Sequence, residues 1–110
     1  MNAKLPEYET GSGNVFADIG LPQPDRRLAK AELIHRIGVL VHERGLTQVQ
    51  AAEILGIPQP KVSKILRGEV SGFSMDKLMH LLNRLDQDVE IIVKPCPADR
   101  KHARVNVIAV

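Results

Sequence analysis

One short segment of the chain carries side chains suited to binding an anionic polymer. At about 100° per residue, a helix over 58–67 would place one set of side chains on its outward face. That set is Gln59, Pro60, Lys61, Ser63, Lys64 and Arg67, with three cations and no carboxylate. Amide, hydroxyl and cationic groups are the ones that contact the phosphates and base edges of a nucleic acid.

Two short helices joined by a tight turn are predicted to position this face. Thr47 is the expected N-cap of the first helix, which spans 48–55. Gly56 follows, where positive φ is needed to end the helix and turn the chain. The second helix starts at about Pro58 and ends near Arg67. A proline in the first helical turn does not break the helix, because its missing N–H has no intrahelical partner there.

The apolar residues of both helices face the other way. Val62 and Ile65 lie on the inward side of the second helix, and small Ala52 at the centre of the first lets another helix approach closely. This is the geometry of a helix-turn-helix, whose second helix enters the DNA major groove.

Two further helices are predicted to complete a core over residues 25–88. A helix from Asp25, its expected N-cap, to Arg44 carries an apolar stripe at helical spacing. Ser74 is the expected N-cap of a fourth helix, with Phe73 packing on Leu78 as a hydrophobic staple. Its buried stripe is Leu78, Leu81, Leu82 and Leu85. We therefore expect a mainly α fold, a bundle of four to five helices with short C-terminal β-strands.

Residues 1–24 are rich in glycine, proline and polar groups and are predicted to be flexible. A short helix is expected near 14–20, where Val15, Phe16 and Ile19 are concentrated. Two interpretations stay open for these three side chains. They dock on the helices of their own domain, or they bind a partner protein.

The last segment, 89–110, changes character. Alternating Val89, Ile91 and Val93 predict a strand over 89–94, and a second strand is expected over 104–110. Two strands alone are marginal in water, so they must pair with each other, with a second subunit or with a partner's sheet. We favour a homodimer, because most helix-turn-helix proteins bind two DNA half-sites about one turn apart.

Composition and charge narrow the class of protein. Apolar residues make up 44% of the chain and aromatic residues 3%, so the predicted core is aliphatic. Scarce aromatics argue against a single-strand nucleic-acid binder, which needs stacking platforms. The net charge is only +2, but residues 25–68 hold eight Lys or Arg against four Asp or Glu, which gives +4. The positive charge is therefore concentrated on the proposed DNA-binding half.

No pattern in the sequence indicates catalysis, a cofactor or a metal. Cys96 and His102 are too few ligands for a metal site, and His35 and His42 stand seven apart. A glycine-rich phosphate loop and a nucleophile with its base are both absent, so we expect no enzyme. The single cysteine and the lack of a hydrophobic signal core predict a cytoplasmic protein.

The stretch LTQVQAAEILGIPQPKVSKILRG resembles the helix-turn-helix of the XRE family, which includes the lambda-type and Cro repressors. The residues that carry the resemblance are Gln48, Ala52, Gly56, Ile57, Val62 and Ile65. The resemblance implies a lambda-repressor-like fold and a DNA-binding transcriptional repressor. The implied DNA contacts come from Thr47, Gln48, Gln59, Pro60, Lys61, Ser63, Lys64 and Arg67.

The resemblance also implies individual roles. Gln48 would cap the first helix at a phosphate and brace Gln59, which would read a base, plausibly adenine. Pro60 would offer an apolar contact to a thymine methyl. Lys64 would contact guanine or a phosphate, and Arg67, at the far end of the helix, would hold a phosphate.

Residues 14–95 further resemble one branch of the family, the antitoxins of the HigA kind. Members of that branch bind a small RelE-like or HigB-like toxin, an mRNA-cleaving ribonuclease, and repress their shared operon. This implies a palindromic operator and a toxin partner for the present chain. A stand-alone regulator of the prophage type remains a second interpretation. A protein-interaction module that no longer binds DNA is a third, which the intact basic face argues against.

Overall fold

The computed structural model describes residues 23–110, with side chains from Arg26 onward. This part of the chain contains four α-helices. They are α1 (Gln23–Glu43), α2 (Gln48–Leu55), α3 (Gln59–Leu66) and α4 (Met75–Arg84). The helix expected near 14–20, with Val15, Phe16 and Ile19, lies outside the described residues. No helix within them is long and apolar enough to cross a membrane.

The core lies where α1, α3 and α4 meet, with α2 packed on α3 and α4. The predicted apolar stripes of α1 and α4 are confirmed. The largest fully buried side chains are Ile34, Ile37, Leu55, Val62, Leu78, Leu81 and Leu85. These aliphatic side chains dominate the core, and Phe73 joins them at 3% exposure. Their burial is the main favourable contribution to stability.

Helix α1 begins two residues before the expected cap, so Asp25 lies within its first turn. The helix extends back through Pro24 because a proline in the first turn has no hydrogen bond to lose. The other end agrees with the sequence. Gly45 adopts φ +65°, and the Leu46 N–H reaches back to the Val41 carbonyl at 3.1 Å.

The start of α4 matches the sequence prediction. The Lys77 N–H donates to the Ser74 hydroxyl at 3.0 Å, which makes Ser74 the N-cap. Phe73 precedes this cap and is buried in the same cluster as Leu78, as a hydrophobic staple requires.

The predicted C-terminal strands, 89–94 and 104–110, are wrong for this chain by itself. Residues 85–110 contain no strand in the structure. Val89 and Val107 pack on the core, whereas Ile91 and Val93, which the alternation places on the same face as Val89, are 74% and 90% exposed. A strand also needs a neighbour to bond its N–H and C=O groups, and none lies beside either segment. Instead, Val107 and Ala109 line a shallow depression together with Glu32, Arg36 and Val39 of α1.

Two arginines tie the helix ends to one another. Arg84 of α4 donates from Nε to the Ile54 carbonyl, 2.7 Å away, in the last turn of α2. Arg44, after α1, donates to the Leu85 carbonyl at the end of α4. Each guanidinium satisfies a carbonyl that the helix leaves free and sits where the helix dipole is negative. These contacts hold the ends of α2 and α4 against their neighbours.

Helix α4 ends with a non-glycine residue in the left-handed region. Asp86 has φ +63°, the Gln87 N–H bonds the Leu82 carbonyl at 3.0 Å, and the Asp86 N–H bonds the Asn83 carbonyl at 3.0 Å. This Schellman arrangement normally places glycine where Asp86 stands. The Asp86 carboxylate also lies 3.5 Å from the Arg44 guanidinium, but it is largely exposed and contributes little.

We predict that Asp86→Gly is more stable than Asp86→Ala by about 1 kcal/mol, because only alanine must hold a Cβ at positive φ. Both variants lose the contact with Arg44, so their difference isolates the backbone term. Urea unfolding at matched slopes measures it. Equal midpoints for the two variants would contradict the assigned backbone conformation.

Candidate nucleic-acid interface

A capping box starts α2 and fixes its orientation. The Gln50 N–H donates to the Thr47 hydroxyl at 3.1 Å, and the Thr47 N–H donates to the Gln50 side-chain oxygen at 2.9 Å. Thr47 is therefore the N-cap that the sequence predicts. The role of Gln50 was missed, although Thr-x-x-Gln is the sequence signature of this motif. Gln48, the first residue of α2, is left exposed beside the cap.

The turn between α2 and α3 is built as the sequence predicts. Gly56 has φ +70°, and its N–H bonds the Ala52 carbonyl at 2.8 Å. A Cβ on Gly56 would lie 3.7 Å from the Arg84 guanidinium. Pro58 is the N-cap of α3 and Pro60 follows in the first turn, so both prolines occupy positions without a helical N–H partner.

Four of the eight predicted contact residues meet at one place on the surface. Gln48 from α2 and Gln59, Pro60 and Ser63 from α3 line one shallow, open depression. Two primary amides therefore lie beside an apolar ring and a hydroxyl. These groups suit the edges of bases, where amides form paired hydrogen bonds and apolar groups contact the thymine methyl.

The two lysines of α3 extend toward the loop before α4. The Lys61 ammonium lies 5.5 Å from the centre of the Phe73 ring, within cation–π range. The Lys64 ammonium lies 3.8 Å from where a Cβ on Gly72 would be. Both cations therefore lie on the side of α3 that faces this loop, and neither lines the depression. Charge beside a groove-facing surface suits phosphates, which position a protein without reading sequence.

Arg67 is held by two side chains of its own neighbourhood. Its Nε donates to a Glu69 carboxylate oxygen at 2.8 Å, and another of its N–H groups donates to the Ser63 hydroxyl. The turn at Gly68, with φ +77°, folds Glu69 back so that its N–H bonds the Lys64 carbonyl at 3.0 Å. The residues of α3 itself place no carboxylate on its outward face. Glu69 comes from the residues that follow and reaches Arg67 through this turn.

The ion pair changes what this end of α3 offers to DNA. The side chains of Arg67 and Glu69 are 56% and 42% exposed, so the pair adds little to stability. It does neutralise one of the three cations of the face, and it occupies the Ser63 hydroxyl. Lys61 and Lys64 remain as the cations of α3 without a carboxylate partner among the described residues.

Comparison with known proteins places this geometry in a family. A family model described as a helix-turn-helix domain matches residues 15–94. A solved structure with the provisional description of an XRE family transcriptional regulator is 42% identical, with a TM-score of 0.76 over 81% of this chain and 100% of its own. This chain belongs to the XRE helix-turn-helix family. No curated protein matches it significantly.

Membership in the XRE family settles the general activity. The chain is a DNA-binding transcription regulator, as its helix-turn-helix predicts, and belongs to a family of regulators rather than of enzymes. Within the described residues no group of three His, Cys, Asp or Glu side chains could hold a metal ion. In helix-turn-helix proteins the second helix of the motif is the one that enters the major groove, and α3 is the second helix of the motif in this chain.

We predict that Glu69→Gln binds duplex DNA of any sequence about threefold to tenfold more tightly, because it removes a negative charge and releases Arg67. The slope of log affinity against log salt should steepen toward one additional unit. Fluorescence anisotropy over a salt series measures both. Within the Glu69→Gln background, Arg67→Ala should return the slope to its original value.

The matched control is Asp99→Asn, which removes an exposed carboxylate from the C-terminal segment. It should leave affinity and slope almost unchanged. Weaker binding by Glu69→Gln would instead mean that Glu69 orients Arg67 for its contact, which is the opposite role.

Proposed function

We propose that this XRE protein is a sequence-specific repressor that binds a palindromic duplex operator as a homodimer, with α3 of each subunit in the major groove. The observation that carries the proposal is the depression shared by Gln48, Gln59, Pro60 and Ser63, together with the two lysines of α3. Specific DNA binding needs groups that read bases and charges that bind phosphates. The depression supplies the first, and the two lysines of α3 supply the second.

Each residue has an assigned contact within this proposal. Gln59 reads a base, adenine being the natural partner of a bidentate amide. Gln48 contacts a phosphate at the start of α2 and supports Gln59. Pro60 contacts a thymine methyl, and the two lysines of α3 bind phosphates. Thr47 serves through its cap, which presents Gln48 beside it.

Arg67 requires a separate account because it is already paired. As a phosphate clamp it must exchange the Glu69 carboxylate for a phosphate oxygen. An exposed pair of this kind is weak enough for the exchange to occur on binding. Ser63, while it accepts from Arg67, is a support for that side chain, and it becomes free to contact DNA only when Arg67 moves.

The finer proposal is that the repressor is the antitoxin of a type II pair and autorepresses its operon in the bacterial cytoplasm. Its support is the resemblance of residues 14–95 to HigA-type antitoxins, together with apolar side chains that the domain leaves exposed. These are Ile91, Ile92, Val93, Ile108 and Val110, all more than two-thirds exposed. A HigB-like or RelE-like toxin is the proposed partner.

The alternative is a stand-alone regulator of the XRE family, without a toxin. It is favoured by the solved relative, whose description names only transcriptional regulation. Under this alternative, the exposed apolar residues serve dimerisation alone.

We predict that Gln59→Ala loses about 1–3 kcal/mol of binding free energy at the operator and relaxes the preference at one base position. The operator comes from selection of a random duplex library by the wild-type protein. Selection with the variant then shows which position has lost its preference.

Lys64→Ala is the control, because a phosphate contact carries no sequence information. It should weaken operator and random duplex alike and leave the selected sequence unchanged. A uniform loss for Gln59→Ala would remove its assignment as a base-reading residue.

We predict that the tagged protein, recovered from its native host at native expression, carries a stoichiometric small basic protein about the size of one domain. Mass spectrometry identifies it, and an mRNA-cleavage assay tests it. Deleting residues 1–24 should release the partner if the Phe16 segment holds it, whereas deleting 96–110 tests the other end. Recovery of the homodimer with DNA alone would support the stand-alone regulator instead.

A further inference from the structure

Lys61 of α3 is restrained by an aromatic ring instead of a carboxylate. Its ammonium lies 5.5 Å from the centre of the Phe73 ring. At this distance a cation is attracted to the negative face of the ring. Among the described residues Lys61 belongs to no ion pair. The contact therefore joins α3 to the loop before α4 without involving a second charge.

The ring itself has a fixed position. Phe73 is 3% exposed and belongs to the same buried cluster as Val62 and Leu78. The next residue, Ser74, is held at the start of α4 by the hydrogen bond that its hydroxyl accepts from the Lys77 N–H at 3.0 Å. Because the ring cannot follow the lysine, the contact limits the freedom of the Lys61 side chain.

A ring restrains a cation in a different way from a carboxylate. Arg67, at the other end of α3, donates to the Glu69 carboxylate at 2.8 Å, which neutralises its charge and occupies its Nε–H. The Phe73 ring carries no net charge and is at most a weak acceptor. The Lys61 ammonium therefore keeps its full charge, and its three N–H donors remain available to a stronger acceptor.

We propose that Phe73 is a positioning residue for DNA binding: its ring holds the Lys61 ammonium in place and leaves its charge and donors free for a phosphate of the duplex. The proposal rests on the phosphate contact that the proposed function assigns to this lysine. A lysine loses rotamer freedom when it is immobilised by a ligand. A lysine that is already restrained has lost part of this freedom beforehand, so binding costs less affinity.

Lys64 provides an internal comparison. Its ammonium lies 3.8 Å from where a Cβ on Gly72 would be, so it stands over the residue next to Phe73. It has no carboxylate partner and no ring within cation–π range among the described residues. The two lysines thus share a helix and a loop, and only Lys61 has a ring to restrain it.

A double-mutant cycle tests the positioning role. Phe73→Leu keeps an apolar side chain in the core and removes the ring face. It should weaken binding to duplex DNA of random sequence by about twofold to fivefold, the range that a cation–π contact at an exposed site supplies. The slope of log affinity against log salt should stay the same, because Lys61 still reaches its phosphate. In a Lys61→Ala background, Phe73→Leu should have no effect on affinity.

The matched control is the same change in a Lys64→Ala background. There Phe73→Leu should again cost about twofold to fivefold, because Lys61 is present and the ring positions it. Fluorescence anisotropy over a salt series measures all the variants. An equal loss in the Lys61→Ala and Lys64→Ala backgrounds would mean that Phe73 acts only through the packing of α4, and it would overturn the positioning role.

A second variant separates the ring's charge distribution from its volume, because Phe73→Leu also alters the packing of the core. Pentafluorophenylalanine in place of Phe73 keeps the shape of the ring, and its fluorines withdraw electrons from the ring face that attracts the cation. It should weaken DNA binding as Phe73→Leu does, while urea unfolding shows the domain folded in the binding buffer. Affinity equal to that of the wild type would overturn the proposal.

Proton NMR tests whether the contact persists on DNA. Protons held over a ring face shift upfield, so the ε-methylene protons of Lys61 should lie upfield of those of Lys64. Phe73→Leu should remove this difference, and addition of duplex DNA to the wild type should preserve it. Loss of the difference on binding would mean that ring and phosphate compete for Lys61, and it would overturn the proposal.

The use of random duplex separates this inference from the proposed function. Phosphates are present in every sequence, so failure to select an operator would overturn the sequence-specific repressor and leave the test of Phe73 intact. If Lys61→Ala changes neither affinity nor salt slope, the phosphate contact assigned to Lys61 is wrong and the positioning role is overturned with it. If Lys61→Ala lowers both, and Phe73→Leu costs the same with and without Lys61, the phosphate contact stands and only the positioning role is overturned.

Discussion

The presentation of α3 depends on how the turn at Gly56 is held. Its left-handed backbone sets the angle between α2 and α3, and the guanidinium of Arg84 donates to the carbonyl of Ile54, two residues before it. The turn is therefore fixed by its own stereochemistry and by a contact from a helix distant in sequence. Because the depression lined by Gln48, Gln59, Pro60 and Ser63 takes residues from both α2 and α3, its shape follows from this angle. DNA recognition by this fold therefore depends on the turn at Gly56 as well as on the exposed face of α3.

Local chemistry explains why so much of the domain was predictable. Thr47, Gly56 and Ser74 each act on the backbone within a few residues, so their effects are encoded where they stand. The apolar stripes of α1 and α4 repeat at the helical period and needed no knowledge of what they would pack against. The expected start of α1 at Asp25 falls two residues after its observed start at Gln23. Asp25 suits the N-cap position, whereas Pro24 suits the first helical turn, and the helix starts in the way that suits Pro24.

Two features could not be predicted from the sequence. The contact of Glu69 with Arg67 depends on a turn that reverses the chain, and the C-terminal strands depend on a second chain. Glu69 reaches Arg67 only because the turn at Gly68 brings the following residues back, so a projection of α3 alone could not include it. The C-terminal strands fail for a different reason. Their alternation indicates which side chains would share one face of a strand. A strand forms only when a neighbouring backbone accepts its hydrogen bonds. A single chain does not supply that neighbour to residues 89–94.

The contact between Arg67 and Glu69 gives the protein an internal counterion. A sodium or potassium ion displaced from a protein–DNA interface enters the bulk solution, and its dilution makes binding sensitive to ionic strength. A displaced carboxylate stays tethered two residues away and gains no such freedom. The phosphate contact proposed for Arg67 would therefore replace one partner within the molecule by a phosphate, and it would depend only weakly on salt. With such a contact, part of the affinity of the regulator for DNA would stay constant while the ionic strength in the cell changes.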